Sequence, residues 1–128
     1  MKKELKTEKA PKAIGPYSIA IESDNGFVYT SGQLGLDPRS GKLVGDDVEV
    51  QTTQVMKNLQ AILEASNLSF DDVVKSTIFC VDMADFPKIN KIYGSFLKEP
   101  YPARSTIQVA ALPLAGLIEI EMIAKKQT

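Results

Sequence analysis

The 128-residue chain has no histidine, no tryptophan and one cysteine, Cys80. Without imidazole there is no Ser–His or Cys–His nucleophile pair, no HExxH zinc site and no imidazole general base. A lone thiol forms neither an internal disulfide nor a thiolate cluster for zinc or iron–sulfur, which suits a reducing cytoplasm. No apolar run approaches the roughly 20 residues needed to cross a bilayer. The charged start, MKKELKTEKAPK, has no apolar segment behind it, so no signal peptide and no membrane association are expected. An excess of one charge is also missing. Fifteen Lys plus Arg face 16 Asp plus Glu, for a formal net charge of −1, which argues against nucleic acid as a partner. Catalysis, if present, must come from carboxylate, Arg, Lys, Tyr, Ser/Thr, backbone groups and ordered water, and no metal site is expected.

What is there suits one globular domain spanning residues 1–128: 44% hydrophobic and 24% charged residues, enough to build a core. Residues 1–12 are polar and Lys-rich and are expected to be loose. After the Gly15-Pro16 turn, Tyr17, Ile19 and Ile21 alternate with smaller or polar residues as in a short strand. Asp24-Asn25-Gly26 signals a hairpin into a second strand from Phe27 to Ser31. Asp37 to Gly41 is another turn, followed by a short extended piece. Beyond Asp46 or Asp47 as N-cap, Val55, Met56, Leu59, Ile62 and Leu63 recur at helical spacing, with Gln51, Gln54, Lys57, Asn58 and Glu64 mostly elsewhere around the wheel. Val73 to Val81 reads as a strand covered on both faces. Asp85 and Pro87 open a second helix with an apolar stripe of Phe86, Ile89, Tyr93, Phe96 and Leu97. Gly94 within it suggests close packing against a neighbour. The last two strands, Arg104 to Ala110 and Leu117 to Ala124, are expected to pair as a hairpin. The order predicts an α+β protein with both helices on one face of a mixed sheet.

Ile118, Ile120, Met122 and Ala124 form an apolar face suited to the helices. The other face mixes Leu117 and Ile123 with Glu119 and Glu121. In the middle strand, Val73, Thr77, Phe79 and Val81 are expected to share one face. The mixed face admits two readings, a covering partner subunit or a solvated face with scattered apolar residues. Arg104 opens its strand in a run with no other charge from Tyr101 to Ile118. A guanidinium on a fixed strand suits a carboxylate or phosphate held by two parallel hydrogen bonds. The alternative is a structural ion pair with Glu119 or Glu121. The hairpin register would put Arg104 opposite Ile123 and Glu119 nearer Gln108, leaving a gap for a small ligand. A carboxylate held by Arg104 and a water held by Glu119 would then form a minimal hydrolytic site. Arg39, in a turn, reads as a solvated charge.

The blocks KAIGPYS (12–18), YTSGQLGLDP (29–38), DMADFPKIN (82–90), YPARSTIQVAALP (101–113) and IEIEMIA (118–124) resemble the YjgF/RidA family of enamine/imine deaminases, in family order and near-family spacing. The resemblance implies a chorismate-mutase-like α+β protomer and a homotrimer whose sheets join in a central β-barrel, with ligand clefts between subunits. It implies hydrolysis of short 2-imino acids, 2-iminobutanoate and 2-iminopropanoate, to 2-oxo acids and ammonia, without a cofactor, in the cytoplasm. On this resemblance Arg104 holds the substrate carboxylate and Glu119 orients or activates water. Tyr17, Ser31, Gly32 and Asn90 line the cleft. Thr106 stands where the family usually has Cys and offers its backbone carbonyl. Two further classes stay open: a non-catalytic module that binds small carboxylates, and an endoribonuclease or translation inhibitor.

Overall fold

A computed structural model describes residues 1–127. Seven strands form one sheet: β1 (Lys3–Leu5), β2 (Ala20–Glu22), β3 (Phe27–Thr30), β4 (Gln33–Leu34), β5 (Val73–Cys80), β6 (Ala103–Gln108) and β7 (Ile118–Lys125). The strand order is β1-β2-β3-β7-β5-β6, with β4 also pairing β7. Helices α1 (Val48–Glu64) and α2 (Phe86–Ser95) complete the fold. This is the α+β arrangement that the periodicities predict, a mixed sheet with two helices.

The apolar stripe of α1 is the centre of the core. Val55, Met56, Leu59, Ile62 and Leu63 are fully buried, as are Ile118, Ile120 and Ala124 of β7, Ile78 and Cys80 of β5, and Ile89 of α2. Asp47 caps α1, its carboxylate accepting from the amides of Glu49 and Val50. This satisfies donors that the first helical turn leaves orphaned. Gln51 and Asn58, which the helical wheel sets off the apolar stripe, are nonetheless buried. Gln51 accepts from Leu117 N–H and donates to the Gly45 carbonyl. Asn58 donates to the carbonyls of Leu34 and Leu36. The chain leaves the ladder after β4, and these amides replace the lost strand partners, because unpaired buried backbone groups are costly.

Three expectations change. The N-terminal segment is not loose: Lys3–Leu5 pairs antiparallel with Glu22–Ala20, and Leu5 and Ala10 are buried. The last two strands are not a hairpin. β6 lies parallel to β5, and β5 separates it from β7. A parallel pair needs a crossover, and α2 supplies it, making β5–α2–β6 a βαβ unit. The third change is Val73, which is buried opposite Ala124 on the helix side, away from Thr77 and Phe79. A register shift between Val73 and Lys75 moves it across the sheet, because one extra residue reverses side-chain parity.

Candidate functional site

Arg104 lies on the helix side of β6, the edge strand, in register with Ser76 of β5. Beneath it, α2 presents Phe86, Asn90 and Tyr93, which share one stripe at helical spacing. The guanidinium carbon sits 5.3 Å from the Phe86 ring centre and 5.2 Å from that of Tyr93. Nη1 donates to Asn90 Oδ1 at 2.8 Å. Tyr93 is itself fixed, donating from its buried hydroxyl to Ser76 Oγ at 2.9 Å. Burial pushes the Tyr93 hydroxyl above its usual pKa, partly offset by the Ser76 hydrogen bond and the Arg104 charge. Two ring faces and one amide therefore orient the cation. Among the described residues no carboxylate lies within ion-pair distance of Arg104, which removes the structural pairing with Glu119 or Glu121 within the chain. Gly94, Tyr101 and Pro102 complete this cleft.

Glu119 lies on β7 and faces the other way. It is in register with Leu34 on one side and Phe79 on the other, on the face that the helices do not cover. The segment from Phe27 to Leu34 follows β7 but leaves the ladder at Ser31-Gly32, between β3 and β4. There Thr30 Oγ1 accepts from Met122 N–H in place of a backbone carbonyl. The break brings Gly32 against Glu119, so closely that a Cβ at residue 32 would stand 2.7 Å from the carboxyl carbon. Ser31 donates its hydroxyl to the Ser18 carbonyl at 2.6 Å, tying this break to the Tyr17 segment. The result is an open cleft of about 570 Å³ lined by Lys12, Ile14, Tyr17, Ser31, Gly32, Arg39, Leu114 and Glu119, among others. Burial and the like charge of Glu121 two residues on raise the Glu119 carboxyl above its ordinary pKa, making it a stronger base than a solvated carboxylate.

The expected residues thus divide. Tyr17, Ser31, Gly32 and Glu119 meet in one cleft, and Asn90 and Arg104 in the other. Thr106, two residues past Arg104 on the same side of β6, has a buried hydroxyl with no hydrogen-bond partner. The expected gap shared by Arg104 and Glu119 within one hairpin does not exist. β5 separates the two strands, and the side chains leave opposite faces of the sheet. Pattern reading missed Phe86 and Tyr93 as the seat of Arg104, although their spacing around Asn90 was a usable signal. It also missed Lys12, Ile14, Arg39 and Leu114, which only the meeting of distant loops brings to Glu119.

Residues 7–126 match the family described as endoribonuclease L-PSP. The chain is 55% identical over 125 residues to "Reactive Intermediate Deaminase A, chloroplastic" of Arabidopsis thaliana, covering 97% of this chain and 66% of that protein. It is 48% identical over 124 residues to the Mus musculus "2-iminobutanoate/2-iminopropanoate deaminase", covering 97% and 91% of the two chains. The solved structure of RidA from an Antarctic Psychrobacter superposes with a TM-score of 0.92 at 44% identity, over 97% of this chain and 99% of the other.

Proposed function

Because the chain belongs to the endoribonuclease L-PSP family, also called YjgF/RidA, we propose that it hydrolyses short 2-imino acids such as 2-iminobutanoate and 2-iminopropanoate to 2-oxo acids and ammonia. The observation that carries this reading is the state of Arg104. Its guanidinium is oriented by two rings and one amide, yet no carboxylate in the described protomer pairs with it. A small organic acid is the partner that such a planar donor fits best.

The complete site forms where Arg104 of one protomer comes beside Glu119 of the next. Two features support this. The oriented guanidinium of Arg104 and the Glu119 carboxylate lie in different clefts, and the helix-free sheet face leaves Tyr29 and Ile107 well exposed, with Phe79 and Ile123 part-buried beside them. A homotrimer whose sheets join in a central barrel would cover that apolar surface.

Arg104 holds the substrate carboxylate and so fixes the imine carbon. Glu119 accepts a proton from a water as its oxygen adds to that carbon. The C=N electron pair moves to nitrogen, which takes up a proton, giving a carbinolamine. The hydroxyl proton then passes to the nitrogen as the C–N bond breaks, so ammonia leaves and the 2-oxo acid remains. One water is consumed and no redox change occurs. Tyr17, Ser31, Gly32, Asn90 and Thr106 shape and line the site. Imines already hydrolyse in water, so a modest lowering of the barrier suffices.

Generating 2-iminobutanoate from threonine with a pyridoxal-phosphate-dependent dehydratase and following 2-oxobutanoate release tests this reading. Acceleration by the protein is expected. Thermal stabilisation by 2-oxobutanoate without acceleration would instead favour a carboxylate-binding module. Co-expression of Arg104→Ala and Glu119→Ala chains tests the shared site. Two inactive variants should together regain about a quarter of wild-type turnover if each site takes one residue from each neighbour, and none if both come from one chain.

A further inference from the structure

The turn that leads into β7 holds a feature that hydrolysis of the smallest imino acids does not require. Leu114 has φ 58° and ψ 25°, and Ala115 follows with φ 60°. Two consecutive non-glycine residues in the left-handed region are sterically unfavourable, because each Cβ crowds a carbonyl oxygen. Burial does not compensate, since Leu114 is 52% exposed. The turn is held at both ends. Pro113 restricts its entry, and Gly116 donates back to the Pro113 carbonyl at 3.0 Å. A Cβ at residue 116 would stand 2.8 Å from Leu34 Cδ2, so the exit is wedged against β4.

The strained backbone turns the Leu114 side chain into the wall of the Glu119 cleft. Ile14, 73% exposed, and Tyr17, 48% exposed, line the same wall. Three of the protein's exposed large apolar side chains thus share one cleft with the Glu119 carboxylate. That arrangement is matched to a ligand with a polar reacting head and an apolar tail.

We propose that Leu114 is a specificity-determining residue, held out by its strained turn to contact the side chain of branched apolar 2-imino acids. This rests on the hydrolytic function proposed above. The tail of 2-imino-4-methylpentanoate reaches the Leu114 contact, and the ethyl group of 2-iminobutanoate reaches it less.

The test compares kcat/KM for these two substrates, the first made from leucine by a flavin amino-acid oxidase and the second from threonine by a dehydratase. Leu114→Asn and Leu114→Gly, both at ease with positive φ, should lower the branched-to-short ratio about tenfold. Leu114→Met should keep the ratio near wild type. The melting temperature of Leu114→Gly should hold or rise as strain is relieved. An unchanged ratio in Leu114→Asn and Leu114→Gly overturns the proposal. So does loss of the assembled mass by light scattering, which would make Leu114 a subunit contact. If the wild-type protein accelerates neither substrate, the hydrolytic reading itself fails, a result separable from an unchanged ratio.

Discussion

The two clefts are built in different ways. Around Arg104 the frame is regular secondary structure, an edge strand over a helix, and the cation is oriented by ring faces, an amide and a buried Tyr93–Ser76 hydrogen bond. Around Glu119 one strand meets three irregular segments, and the carboxylate is placed by the absence of a side chain at Gly32 and by partial burial. A guanidinium is held by contacts added around it. The Glu119 carboxylate is held by space left open for it. Substitutions should therefore act differently in the two places.

The largest effect is expected at the cation. Arg104→Ala should lower kcat/KM for 2-iminobutanoate about 100- to 1,000-fold, the order of a lost charge-assisted bidentate contact, with circular dichroism unchanged. Arg104→Lys should recover little, since an ammonium lacks the planar fork.

The glycines sharpen the contrast. Gly32→Ala drives a methyl into the Glu119 carboxyl group and should reduce kcat on the order of tenfold or more. Gly94, in the other cleft, has nothing within 4 Å of where a Cβ would stand, so the close packing expected there is not found within the chain. Gly94→Ala should therefore stabilise α2 by about 0.5–1 kcal/mol, read as a raised melting temperature. Equal damage from both substitutions would break the comparison.

Tyr93→Phe keeps the ring under Arg104 but leaves the buried Ser76 hydroxyl unpaired. It should destabilise the fold by about 1 kcal/mol and raise KM about two- to threefold, with kcat little altered.

The smallest effect concerns pH. The folded protein raises the Glu119 pKa, so the folded state binds a proton more readily than the unfolded chain. The stability linked to this group is fully present below the ordinary carboxylate pKa and is lost as pH rises through the raised value. Glu119→Gln should therefore melt about 1–2 °C higher than wild type at neutral pH, with the difference vanishing in acid. The acid limb of the kcat/KM profile should fall at a higher pH than an ordinary glutamate would give.

Much of the fold is legible in the residue pattern. The stripe of α1, the apolar face of β7 and the Asp47 cap follow from local periodicity, and local physics produces them. The pairing of β6 is not legible in the same way. An alternating strand satisfies a parallel or an antiparallel neighbour equally well, and proximity in sequence favours a hairpin. Burial of Gln51 and Asn58 is hidden because their partners are backbone groups of a distant loop that leaves its ladder. The residues of the Glu119 cleft are recognisable as motif blocks, but their meeting depends on the break at Ser31-Gly32.

The order of residues by itself determined which chemistry is open to this protein, which faces of its helices and strands are apolar, and which family it joins. Those properties reside in side-chain type and short-range period. Only the tertiary structure decided that β5 lies between Arg104 and Glu119 and that their side chains leave opposite faces. Strand order is settled by long-range packing, here by α2 carrying the chain across to the far edge of β5, and no local pattern encodes it.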